Sequence, residues 1–186
     1  MKKHILLGIL IGFCLAVIMP DPLLSVNSRN STKVLNHSFK NQLVATIPQT
    51  TKVIETPIIE KGQLQYSVYL DDQTVLIRGY IQLWNLEDLE NYLVNSQRIS
   101  TFDFQSYSLK PINIAKDQGY ITEWTASFGD NYRISGVEYW LRKSDTSKVL
   151  RISFLTDTTA FSKEQMEYID KIISSVNWNK DPSVSL

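Results

Sequence analysis

Asp71, Asp72, Glu123, Asp130, Glu138 and Asp157 are the acids that a folded domain could bring together in pairs across a cleft. That is the arrangement a carboxylate-dependent hydrolase needs for general acid–base work. Other catalytic chemistry lacks its parts. His4 and His37 both precede the region that patterns as a domain, and the single cysteine, Cys14, lies inside an N-terminal apolar run. Ser-His-Asp and Cys-His nucleophiles would have no base, and a zinc site would have no imidazole or thiolate. The glycine patterns of nucleotide cradles and of the hydrolase elbow do not occur. Asp71-Asp72 and Asp130 sit in turn-like sequence, where carboxylates accept local backbone hydrogen bonds and stay solvated. No loop there alternates oxygen ligands as a calcium site requires. The expectation is a protein that is not an enzyme and carries no metal and no cofactor.

A different chemistry follows from strand alternation, because residues i and i+2 share a face. Within 74–84, Val75, Ile77, Ile81 and Leu83 form an apolar set, which leaves Arg78, Tyr80, Gln82 and Trp84 on the other side. Within 132–143, Val137, Tyr139 and Leu141 face in while Glu138, Trp140 and Arg142 share the opposite side. Within 148–156, Leu150, Ile152 and Phe154 oppose Arg151 and Ser153. Arginine, tyrosine and tryptophan are the types enriched at binding hot spots. The candidate binding face is therefore Arg78, Tyr80, Trp84, Glu138, Trp140, Arg142 and Arg151. The same residues would equally serve as a ladder of cross-strand Arg–Glu and Arg–aromatic pairs, or lie under the first helix or under 53–59. A third reading places a lipid or small apolar ligand in a cleft between the sheet and the last helix.

The elements that must position these residues are strands at 63–70 and 74–84, a helix over 86–97 capped by Asn85, and strands at 107–115, 120–128, 132–143 and 148–156. A last helix follows, with Ser162 and Gln165 forming a capping box and Met166, Ile169, Ile173 and Val176 forming its stripe. Short polar turns between strands require antiparallel neighbours. Two helices must then bury their stripes on an antiparallel sheet, which gives an α+β fold of the αβα sandwich kind.

The chain opens on Met1-Lys2-Lys3-His4, followed by an unbroken apolar run from Ile5 to Met19 and then Pro20-Asp21-Pro22. That layout reads as a signal peptide or membrane anchor over 1–22, with the domain outside the cytoplasm, either tethered or secreted. A polar tether is expected over 23–57, with a strand near 53–59. It carries two N-glycosylation patterns, Asn30-Ser31-Thr32 and Asn36-His37-Ser38. The domain spans 58–178, and 179–186 is a polar tail. Lys+Arg and Asp+Glu both number 19, so no net field draws the protein to nucleic acid.

The stretch 79–84, Gly-Tyr-Ile-Gln-Leu-Trp, then Asp88-Leu89, Gly119-Tyr120, Arg151-Ile152-Ser153-Phe154 and the closing Ser174-Ser175-Val176 resemble PsbP-like proteins. The resemblance covers about 53–178. It implies an αβα sandwich on an exported or peripheral protein without a known catalytic site, and it brings no functional residue that maps here. Taken together, these readings give an extracytoplasmic, non-enzymatic binding or assembly module, whose partner is a protein of the cell envelope.

Overall fold

Alternating apolar runs separated by short turns pair with their neighbours in antiparallel fashion, and the sheet follows that rule throughout. The computed structural model describes residues 33–58, 62–114, 117–128 and 132–179. Strands β3 (Lys52–Glu55), β4 (Leu64–Asp72), β5 (Ile77–Asn85), β6 (Asp103–Ile114), β7 (Asp117–Phe128), β8 (Tyr132–Arg142) and β9 (Lys148–Thr156) form a seven-stranded sheet of order β3-β4-β5-β9-β8-β7-β6. Helices α1 (Leu89–Ile99) and α2 (Lys163–Ser175) complete it, together with a three-stranded sheet of β1 (Val34–Phe39), β2 (Leu43–Pro48) and β10 (Asn177–Trp178). The segment 1–22, the pattern at Asn30, Asp130 and all of the tail beyond residue 179 lie outside the described residues. Among the described residues no helix is long and apolar enough to cross a membrane.

One face of the large sheet is the apolar set expected from alternation. Ile77, Ile81 and Leu83 of β5, Val137 and Leu141 of β8, and Leu150, Ile152 and Phe154 of β9 are buried there. Against them pack Tyr168, Ile169, Ile172 and Ile173 of α2, a stripe at helical spacing. The capping box fixes where α2 starts. Ser162 Oγ accepts from Gln165 N at 3.2 Å, and Gln165 Oε1 accepts from Ser162 N at 2.8 Å.

The expected polar tether is corrected here, because residues 34–55 form three strands. Leu43, Ala45 and Ile47 alternate along β2 and are fully buried against the same core as α2. Ser175 Oγ accepts from Thr46 N at 2.8 Å, so the small sheet and α2 form one layer. Lys40 and Asn41 turn β1 into β2 with φ of 49° and 54°, the positive-φ pair that a tight hairpin requires. Contacts divide the chain at Ser31/Thr32, so the domain begins well before residue 58. The α+β class holds, and the layering is richer in strand than a sandwich with helices alone on both faces.

On the opposite face Leu86, Leu89 and Leu93 pack on Trp140 and Val149, with Trp84 and Tyr92 beside them. Helix α1 starts at Leu89, capped by Asp88 accepting from Asn91 N at 3.0 Å, rather than at Leu86. The reason is that Asn85 ends β5 and Leu86 N donates to Ser147 O at 2.8 Å, which holds that segment extended.

Candidate functional site

Register decides whether the seven candidate residues meet. Across β5, β9 and β8 the rows read Trp84, Val149, Arg142; then Gln82, Arg151, Trp140; then Tyr80, Ser153, Glu138; then Arg78, Leu155, Gly136. Residues directly opposite share a face, so all seven lie on the α1 side of the sheet. They do not form one patch. The rows divide into a closed centre and an open end.

Glu138 is the closed centre. Its carboxylate accepts from Arg151 Nη2 at 2.8 Å and Nε at 3.2 Å, from Trp140 Nε1 at 3.0 Å and from Trp124 Nε1 at 3.4 Å. Arg151 Nη1 also donates to Gln82 Oε1 at 2.8 Å, and its guanidinium lies 5.1 Å from the centroid of the Trp140 ring. Gln82 passes the chain on, accepting from Trp84 Nε1 at 3.3 Å and donating to Ser67 Oγ at 3.2 Å. The two charged side chains are only 12% and 20% exposed. Burial would lower the Arg151 pKa, but the charge and hydrogen bonds of Glu138 outweigh it and hold the guanidinium above its ordinary range. Gly136 makes room for this arrangement: a Cβ there would stand 2.3 Å from the Trp124 ring, which reaches across it to Glu138.

Helix α1 roofs this part of the face. Tyr92 sits with its ring centroid 5.7 Å from both Trp84 and Trp140, and burial pushes its hydroxyl pKa up. Arg142 is engaged with backbone carbonyls. It donates to Thr146 O at 3.1 Å and Glu87 O at 3.2 Å, tying the β8–β9 turn to the segment that leads into α1.

The open end lies beyond the helix, where β5, β4 and β3 carry Tyr80, Tyr69 and Ile54 in one row. The two tyrosine rings are 5.3 Å apart and half-buried, and Ile54 is 40% exposed. Burial raises both hydroxyl pKa values, opposed by Arg78 in each case. Arg78 stands in the next row, donating to both Asp157 oxygens, through Nη1 at 2.9 Å, and to Tyr132 Oη at 3.4 Å. Tyr69 and Ile54 were missed from sequence, although Ser67 and Tyr69 alternate with the buried Val68 and Leu70 and carried the signal. Trp124 was missed because its role depends on the bare position at Gly136.

Among the described residues, four of the carboxylates considered for acid–base work are each engaged separately. Glu123 is held below its usual range, first by its hydrogen bond from Lys110 at 2.8 Å, and Asp157 and Glu138 serve the two arginines. The expectation that Asp72 is a solvated turn residue is corrected here, because it ends β4 and is buried. It is 1% exposed and accepts from Thr50 Oγ1 at 2.7 Å, Thr51 Oγ1 at 2.9 Å, Thr74 Oγ1 at 2.6 Å and Thr74 N at 3.0 Å. Burial raises its pKa, and these bonds together prevail and lower it. Among the described residues no group of three His, Cys, Asp or Glu could hold a metal ion.

A hollow of about 420 Å³ lies beside the start of α1, bounded by Gln63, Asn85, Asn91 and Tyr92, and another of about 350 Å³ lies beside the start of α2. The interface between sheet and α2, where an apolar ligand was considered, is filled by Phe154, Ile169 and Ile172 with no exposure.

Comparison with protein-family models gives no match, and comparison with curated proteins gives none either. Among solved structures the chain is similar to the solution structure of cyanobacterial PsbP (CyanoP) from Synechocystis sp. PCC 6803, with a TM-score of 0.54. Identity is 10%, and the match covers 85% of this chain and 99% of that one. At that identity the likeness speaks to the fold, and it agrees with the order of elements and the sheet described above: the chain has a PsbP-like fold.

Proposed function

We propose that the protein is an extracytoplasmic PsbP-type binding or assembly module without catalytic activity, and that it meets a protein partner of the cell envelope through the open end of the α1-side face. The observation that carries this reading is the row Ile54, Tyr69, Tyr80 with Arg78 beside it, in which Ile54 is exposed and the tyrosines and Arg78 are half-buried. Aromatic surface with a fixed guanidinium supplies contact area and directional hydrogen bonding at low entropic cost. Glu138, Trp140, Trp84, Arg142 and Arg151 are the scaffold behind that surface rather than the contact itself. The basic start and apolar run at Ile5–Met19 support export or anchoring.

The other readings have less behind them. A carrier would need room between sheet and α2, and Phe154, Ile169 and Ile172 occupy it. A hydrolase would need two carboxylates free to work on one substrate, and those of Glu138, Asp157, Asp72 and Glu123 are each tied to partners of their own. A photo-crosslinking side chain placed in turn at Tyr69, Tyr80 and Glu167 of the full chain in its own host tests the proposal. The same adduct at Tyr69 and Tyr80, absent at Glu167 on the outer side of α2, is expected. Adducts equal at all positions, or none at Tyr80, would end it.

A further inference from the structure

We infer that the outer edge of β6 is a self-association surface, on which β6 of a second copy pairs antiparallel across a two-fold axis at Tyr107. The two edges of the large sheet differ. β3 is 4 residues long and carries Lys52, whereas β6 runs for 12 and pairs only with β7 among the described residues. A long unpaired edge is a template for another strand, and proteins blunt such edges with short length, lysine or proline. In β6 the lysine and proline come late, at Lys110 and Pro111. The buried contacts of both helices are made chiefly with β5, β8 and β9, inward of β7 and β6.

The register says what fits this edge. β6 and β7 close on the pair Ile114↔Asp117, which at that spacing is a hydrogen-bonded pair. Alternation from there turns the backbone groups of Ser106, Ser108 and Lys110 toward β7 and those of Tyr107, Leu109 and Pro111 outward. Pro111 has no N–H to give, so a ladder on this edge ends before it. An axis at Leu109 would set Pro111 against Tyr107 and lose that bond; an axis at Tyr107 keeps Pro111 outside. Tyr107 then meets its own copy, and Ser106 meets Ser108. Gln105 is the extra residue of the bulge between Phe104 and Ser106, so Phe104 meets Leu109 and Asp103 meets Lys110. The faces agree, with Phe104 and Leu109 both on the α1 side and Asp103 and Lys110 both on the other. Asp103 is exposed and accepts from Gln105 Nε2 at 3.1 Å, while Lys110, 62% exposed, gives one of its three N–H groups to Glu123 at 2.8 Å. No charge stands between them on the strand. The edge is thus complementary to itself in charge, apolar contact and hydrogen bonding, and a two-fold contact of that kind closes at two copies.

The test uses the full chain with Cys14→Ser in its own host, in differently tagged copies carrying one new cysteine each. Ser106→Cys is co-expressed with Ser108→Cys and oxidised mildly. Ser106→Cys with Ser174→Cys, an exposed position on α2, is the control, and Ser106→Cys with Asn113→Cys checks the register. Disulfides form only when Cα atoms approach within about 7 Å. The expected result is a mixed-tag dimer from the Ser108 pair at least about tenfold above both others. Tyr107→Pro deletes the outward N–H at the axis and leaves Ser106 and Ser108 bonded to β7. It should cut that linkage at least about fivefold at an unchanged yield of folded protein. Linkage at Ser108 no greater than at Ser174, equal linkage at Asn113, or linkage that survives Tyr107→Pro would overturn the inference.

Discussion

Changing Glu138 to glutamine removes the charge at the centre of the face while keeping the length of the side chain. The carboxylate has Arg151 Nη2 at 2.8 Å, Arg151 Nε at 3.2 Å and two indole N–H groups as donors. A carboxamide keeps one oxygen and turns an NH2 toward the others, so at least one donor loses its acceptor and Arg151 loses its counter-charge. Breaking a buried pair from one side costs about 3–5 kcal/mol. The side chains are 12% and 20% exposed, so water screens part of the loss and about 2–4 kcal/mol is expected. For a domain of this size that is a fall in Tm of roughly 5–15 °C. Urea titration followed by tryptophan emission measures it, since Trp124 and Trp140 both report on Glu138. A double-mutant cycle with Arg151→Met should give a coupling above about 1.5 kcal/mol. Glu138→Leu with Arg151→Met should recover part of the stability, because no charge is then left unpaired. A cost below about 1 kcal/mol for Glu138→Gln, or additive single and double changes, would refute the reasoning.

Gly136→Ala places a Cβ 2.3 Å from the Trp124 ring; the indole must move off Glu138, and a loss of about 1–3 kcal/mol with an altered near-UV tryptophan signal is expected. For Asp72, hydrogen bonds hold the folded carboxyl below its unfolded value, so the stability it contributes is complete above the unfolded value and drains as pH falls through the folded one. The wild type should lose stability below about pH 4, and Asp72→Asn, itself costing about 1–3 kcal/mol, should show a shallower acid limb in melts at stepped pH. Leu76 has φ of 55°; Leu76→Gly relieves that left-handed strain, and calorimetry should show a gain of about 1 kcal/mol. An unchanged or lower Tm would mean that the turn holds leucine without cost.

Much of the sheet was legible because the pleat has a period of two and tolerates no slip once one face is buried. Val137 and Leu141 against Glu138 and Trp140, or Leu150 and Ile152 against Arg151, could only be arranged one way, and the rows followed. What the pattern did not carry was which side chains would be roofed. Leu89 and Leu93 marked a helix with an apolar face, but nothing in their spacing said that Trp84 and Trp140 would be its floor and that Tyr80 and Arg78 would lie outside it. The strands at 34–48 escaped for a related reason. Polar residues from Asn36 to Ser38 and from Lys40 to Gln42 interrupt the apolar ones in that stretch, and β1 buries little beyond Phe39. Its order comes from β2, whose Leu43, Ala45 and Ile47 find their core only when α2 arrives from the far end of the chain. Asp72 was misread because three threonine hydroxyls and a backbone amide gather around it from two turns, a convergence that no local window contains.

The two faces of the sheet stabilise the fold by different means. Beneath α2 most contacts are apolar, and they gain directly from burial. Beneath α1 lie a charge pair, a glutamine and, in the row of Glu138 itself, the hydroxyls of Thr122 and Ser153, both buried and among the described residues without a hydrogen-bond partner. Such groups add little net stability and cost some of it. What they do fix is orientation. A carboxylate that must receive one guanidinium edge and two indole N–H groups admits one arrangement of Arg151, Trp124 and Trp140, whereas a purely apolar layer would admit several of similar energy. The next position across from Glu138 and Ser153 is Tyr80, and the next is Tyr69. A polar centre under α1 therefore lies in register with the half-buried Tyr80 and Tyr69 and one row from Arg78.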